Sequence, residues 1–144
     1  MLDDGADHLR EATGLPELLI ASFLTFEDIR LAARACECLV PELLATFMTA
    51  AAAAVIGREA ITAAPSLVGA IASRDSGSIP APGDIMKVID VLGSLGNLLS
   101  SRLADGAAMA AVAADREACI EAAAAARRIS ALMARGGDND GCPG

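Results

Sequence analysis

The side chains of this chain that could carry chemistry are one histidine, four cysteines and a scatter of carboxylates. His8 stands among Asp3, Asp4, Asp7 and Glu11. A general base needs a nucleophile or an orienting group held within hydrogen-bond reach. Neither a Ser-His-Asp nor a Cys-His arrangement follows from His8, which reads as a solvated side chain. Cys36 and Cys38 lie two residues apart. On a helix that spacing points them about 200° apart, so they cannot share a metal on one face. Cys119 falls in an alanine run and reads as a small buried residue, while Cys142, near the C-terminal end, reads as the most exposed thiol. Glu117 and Glu121 are one helical turn apart. Paired carboxylates of this kind serve di-metal bundles, but those also use Glu-x-x-His segments, and none occurs here. There is no phosphate-cradling Gly-rich loop, dinucleotide fingerprint or nucleophile elbow. The expectation is a protein that is not an enzyme, with no catalytic residue, cofactor or metal.

The elements that would position any of these groups are helices. Hydrophobic residues make up 54% of the 144 residues but aromatics only 2%; alanine and leucine fill the difference. Alanine loses no side-chain entropy on ordering and has the best helix propensity, and no stretch alternates with period two. The expected fold is all-α, with five to six helices packed as a short α-solenoid or an irregular bundle. Residues 1–13 read as an acidic flexible arm, loose or partly helical, 14–135 as a single helical domain with a loop at 74–83, and 136–144 as a disordered tail.

Within the domain, Pro16 suits a first helical turn. A helix is expected over 17–24, and Thr25 to Asp28 approximate a capping box that starts the next. Pro41 restarts the chain for a helix over 42–57, continuing to 64 after a kink. Pro65 begins a short one over 66–73. Asp84 is an expected N-cap. The helix it opens carries Ile85, Val88, Ile89, Leu92, Leu95, Leu99 and Leu103, the clearest apolar seam in the chain. Gly93 and Gly96 beside that seam would let another backbone come close. Asp105-Gly106 reads as a turn or kink, and a last helix runs from Asp115 to a stop at Gly136-Gly137.

The net charge is −8, with an isoelectric point near 4.5. Nucleic-acid binders neutralise phosphates with a basic face, and only Arg127 and Arg128 are adjacent cations. No nucleic-acid partner is expected. An anionic membrane surface is disfavoured for the same reason. The nearly uncharged stretches 43–57 and 60–73 are interrupted by Arg58 and Glu59; a span needs about 20 apolar residues, so membrane insertion is not expected. The acidic residues at 3–11 carry the wrong charge for a secretory signal, and four cysteines without one imply free thiols in a reducing compartment. A cytoplasmic location is expected.

Three segments begin alike: Leu15-Pro16-Glu17-Leu18-Leu19, Val40-Pro41-Glu42-Leu43-Leu44 and Ala64-Pro65-Ser66-Leu67-Val68. Asp115 to Ile129, an acidic turn leading into an alanine run, resembles the long third helix of armadillo/HEAT α-helical repeats. Leu95-Gly96-Asn97-Leu98-Leu99 is similar to the end of the same element. The resemblance implies stacked helices that bind a protein partner. In that family an asparagine ladder with tryptophans grips extended peptides; only Asn97 falls at such a place, and the chain has no tryptophan. A second resemblance, to the F-box, rests on Phe23-Leu24-Thr25-Phe26-Glu27-Asp28-Ile29 followed by Ala35-Cys36. The resulting expectation is a protein–protein adaptor or scaffold, contacting its partner through Ile85, Val88, Ile89, Leu92, Leu95, Asn97 and Leu99. The alternatives are a homo-oligomeric structural bundle and a small membrane-associated helical protein.

Overall fold

Alanine and leucine at helical spacing produce five α-helices and no strand over residues 2–67 and 84–139, the part of the chain that the computed structural model describes. They are α1 (Leu2–Glu11), α2 (Leu15–Cys36), α3 (Leu44–Thr62), α4 (Ile85–Met109) and α5 (Ala113–Asn139), with a short 3₁₀ turn at Pro41–Leu43 leading into α3.

The four long helices close a ring. α2 packs on α3, α3 on α5, α5 on α4, and α4 returns to α2; α1 lies across α2 and α4. Every neighbouring pair in the ring is antiparallel. Phe26 meets Gly57 across α2–α3, Gly96 meets Ala126 and Gly106 meets Cys119 across α4–α5. Across α3–α5, Leu43 and Thr46 lie near Gly136 while Ser66 bonds Asp115. Gly106, towards the end of α4, sits on Leu15 and Leu18 at the start of α2. A translated stack of helical hairpins would run α2 and α4 in the same direction. Here they oppose each other, so the architecture is a four-helix bundle with α1 as a fifth helix on one side.

One apolar core runs through the ring, with Phe26, Phe47, Leu18, Leu92, Leu99 and Ile129 among its fully buried members. Small residues set how closely the helices approach. A methyl group on Gly96 would sit 2.9 Å from the Ala126 carbonyl oxygen and 3.0 Å from the Ser130 nitrogen, so α5's backbone occupies the space a side chain would need. Gly57 plays the same part under the Phe26 ring, where an added Cβ would lie 2.4 Å from the nearest ring carbon.

Polar side chains fasten the ends. The Asp84 carboxylate accepts from the Met86 and Lys87 amides and caps α4. Buried Asp115 accepts from the Ser66 amide at 2.9 Å and from its hydroxyl at 2.5 Å, tying the residues after α3 to the first turn of α5. The Arg102 guanidinium donates to the Leu9 and Ala12 carbonyls at 3.0 and 2.6 Å. It thereby satisfies two of the open acceptors that every helix leaves at its C-terminal end.

Several boundaries differ from those expected. Residues 2–11 are helix α1, not a free arm: Ala6 and Leu9 face the core, Gly5 allows close approach to Thr25, and Arg102 holds the end. Thr25 does not start a new helix: it is buried within α2 against the neighbouring helices, its hydroxyl donating 2.7 Å back to the Ala21 carbonyl. α3 continues through Arg58 without a break. Gly106 stays helical because it is buried against Leu18 and Cys119. Gly136 likewise does not stop α5, which runs to Asn139; Ile89, Thr46 and Leu43 pack around it. Ser66 and Leu67 are not helical. The rest of the helix expected over 66–73, the loop at 74–83 and Cys142 lie outside the described residues.

Candidate functional site

The seam read from the sequence is where α4 meets α5. Ile89, Leu92, Leu95 and Leu99 are buried, Ile85 and Val88 are partly buried against the same core, and α5 is their packing partner. Asn97 is the one exposed member of the set; its side-chain oxygen accepts a 2.6 Å bond from the Ser130 hydroxyl, an inter-helix link at the surface.

The groups with possible chemistry are dispersed. His8 is exposed on α1, and Glu117 and Glu121 are exposed on α5. Cys36, the last residue of α2, and Cys119 are buried, and Cys38, in the turn after α2, is exposed. Burial pushes both buried thiols up from their ordinary value, and the Asp115 carboxylate adds to the effect at Cys119; a raised thiol is a poor nucleophile. No group of three or more histidine, cysteine or acidic residues among the described residues is placed to hold a metal ion.

The feature that stands out is one face of α3. Its buried side, with Phe47, Ala50, Ala54, Gly57 and Ile61, packs into the bundle. Its solvent side carries Leu44, Met48 and Ile56, exposed by 41%, 53% and 54%, together with exposed Ala45 and Ala52. No charged residue interrupts that side from Leu44 to Ile56, a distance of about 18 Å at the helical rise. Pro41–Thr62 is also the one segment among the described residues long and apolar enough to span a membrane, with mean hydropathy 1.4 and 44% of the window buried in the bundle.

Beside this face runs a shallow groove between α2 and α3. Met48, Ala51, Ala52 and Val55 form its floor, and Arg30, Arg34 and Arg58 line its side together with Glu37. Glu27 organises two of the three arginines. Its carboxylate accepts from Arg30 at 3.0 and 3.2 Å and from Arg58 of the neighbouring helix. Burial pushes the Glu27 carboxyl up, but the hydrogen bonds and charges of Arg30 and Arg58 outweigh it and hold the group below its ordinary value. Arg34 is the freest of the three: its side chain is 63% exposed, and its nearest carboxylate, Glu37, is 4.0 Å away.

Sequence reasoning passed over this face for a physical reason. α3 is apolar nearly all round, so periodicity does not tell its buried side from its open one. The available signal was the recurrence of Leu44, Met48, Ala52 and Ile56 at intervals of four within an uncharged run. What the face can do chemically is exclude water against an apolar partner while the arginines beside it pair with carboxylates. No protein family, curated protein or solved structure matches this chain.

Proposed function

We propose that this protein is a non-catalytic interaction module, an adaptor or scaffold, and that the solvent face of α3 is its docking surface. The observation that carries the reading is the uncharged run from Leu44 to Ile56 on an exposed helix face. Soluble chains scatter single apolar residues over their surfaces, whereas contiguous patches mark contact sites. Methionine at the centre suits such a role, because its flexible thioether adapts to the shape laid against it. The proposal includes a protein partner in the cytoplasm and neither nucleic acid nor a membrane. It stands on this surface and not on the armadillo/HEAT likeness.

A photo-crosslinking amino acid at position 52 tests it in the native cell. The expected result is a discrete protein adduct that disappears when Met48→Asp is added, with the melting temperature unchanged. Equal labelling from a control position on the exposed side of α5, such as Ala131, would refute the assignment.

A further inference from the structure

The ring of α2, α3, α5 and α4 closes without α1, which lies outside it. The hold of α1 on the ring differs in kind from the packing inside. Of its described side chains, Leu9 is the one that is large and buried; Ala6 is partly buried, and Asp7, His8, Arg10 and Glu11 are exposed. α2, by comparison, buries Leu18, Leu19, Phe26 and Ile29. Beneath α1 the surface of α2 turns polar. A methyl group on Gly5 would sit 3.2 Å from the Thr25 hydroxyl oxygen and 3.7 Å from the Asp28 carboxylate. Ser22 stands one turn back along the same face of α2, and Ser22, Thr25 and Asp28 are all fully buried. The Ser22 hydroxyl has no hydrogen-bond partner among the described residues. Nor does α1 seal against α4: an open cleft of about 360 Å³ lies between them, lined by Asp7 and Arg10 on one side and by Asp90, Val91 and Ser94 on the other. The polar fastening is Arg102, which donates to the Leu9 and Ala12 carbonyls. Thr13 and Gly14 then join α1 to α2 outside either helix.

We propose that α1 is a strap that swings off the ring as a unit, hinged at Thr13 and Gly14 and latched by Arg102. The protein then has a second, open state in which Ser22, Thr25 and Asp28 meet water while the four-helix ring stays folded. The reason lies in what each opening uncovers. Pulling a ring helix away exposes apolar core, which water disfavours in proportion to its area. Lifting α1 exposes one leucine and a polar stripe, and a buried hydroxyl without a partner gains one when water reaches it. An element with few buried apolar contacts opens before the whole unfolds, and a few residues between two elements suffice as the hinge.

Thiol labelling of the native protein tests it. In a chain with Cys38 and Cys142 replaced by serine, Ser22→Cys places a reporter beneath α1, and buried Cys119 on α5 reports on the ring. Each rate is taken relative to the same thiol in the unfolded chain. Position 22 is expected to label at least about tenfold faster than Cys119, as a locally opening site does. Arg102→Met should raise the rate at position 22 about tenfold further, since two hydrogen bonds are lost, and leave Cys119 unchanged. Amide exchange of the unsubstituted chain makes the comparison without a variant: the amides of residues 6–12 should exchange as one group, through a smaller opening than those of α3 and α5. Equal protection of position 22 and Cys119 overturns the proposal. So does an Arg102→Met chain in which both thiols speed up alike, or α1 amides that exchange only when the whole molecule unfolds.

Discussion

Glu27 shows how a single side chain can be misjudged from sequence. Beside Arg30 it reads as a surface pair three residues apart, worth a few tenths of a kcal/mol. In the fold it is almost completely buried at the α2–α3 contact and binds Arg58 as well. Its carboxyl is held below the ordinary value, so its contribution to stability is present above the unfolded value, about 4.3, and lost as pH falls through the lower folded value. Glu27→Gln is therefore expected to destabilise the protein by about 1–2 kcal/mol at neutral pH. The gap from wild type should close as the medium becomes acid enough to protonate Glu27, which denaturant titrations across pH will measure. The thiols make a second test at this scale. With Cys38 and Cys142 replaced by serine, Cys36 and Cys119 should resist a thiol reagent in the native protein and react on denaturation, since both are buried with raised pKa.

At the scale of elements, glycines set close approaches, as the sequence indicated for Gly96 but not for Gly57 or Gly106, and Arg102 fastens a helix end. Gly57, Gly96 and Gly106 sit inside helices at close approaches, although glycine in a helix interior costs about 1 kcal/mol relative to alanine. Replacing Gly57 with alanine recovers that propensity but drives a methyl group into the buried Phe26 ring. Overpacking of this kind typically costs about 1–3 kcal/mol, so Gly57→Ala should lower the melting temperature, and Phe26→Leu in the same chain should recover part of the loss. Arg102 fastens α1 through two carbonyls. Arg102→Met keeps much of the apolar stem and removes the donors. The expected outcome is faster amide exchange in α1 with little change in α5, measurable residue by residue, because weakly held elements open locally before the whole unfolds.

Across the whole molecule a single core links the helices, so damage in one should be felt in all. Leu92→Asp places a carboxylate at a fully buried site of the core, where an unpaired charge is not tolerated. The prediction is cooperative loss of helicity together with exposure of Cys36, far away on α2. Loss of α4 signals alone, with Cys36 still protected, would contradict it. How much of this was legible beforehand follows from what periodicity encodes. The all-α class, the Asp84 cap and the α4 seam were legible, because helix propensity, capping and a one-sided apolar stripe are local properties of the chain. The extent of α1, the continuity of α2 through Thr25 and the survival of α5 past Gly136 were not, because distant groups hold each of them: Arg102, the neighbouring helices and Ile89. The exposed apolar face of α3 belongs to the same class. Leu44, Met48 and Ile56 are as apolar as Phe47, Ala54 and Ile61, and the sequence alone determined only that this helix has little charge. Which side of it meets α2 and α5, and which is left to water, was decided by the antiparallel ring, since burial is a property of neighbours that only the tertiary structure brings together.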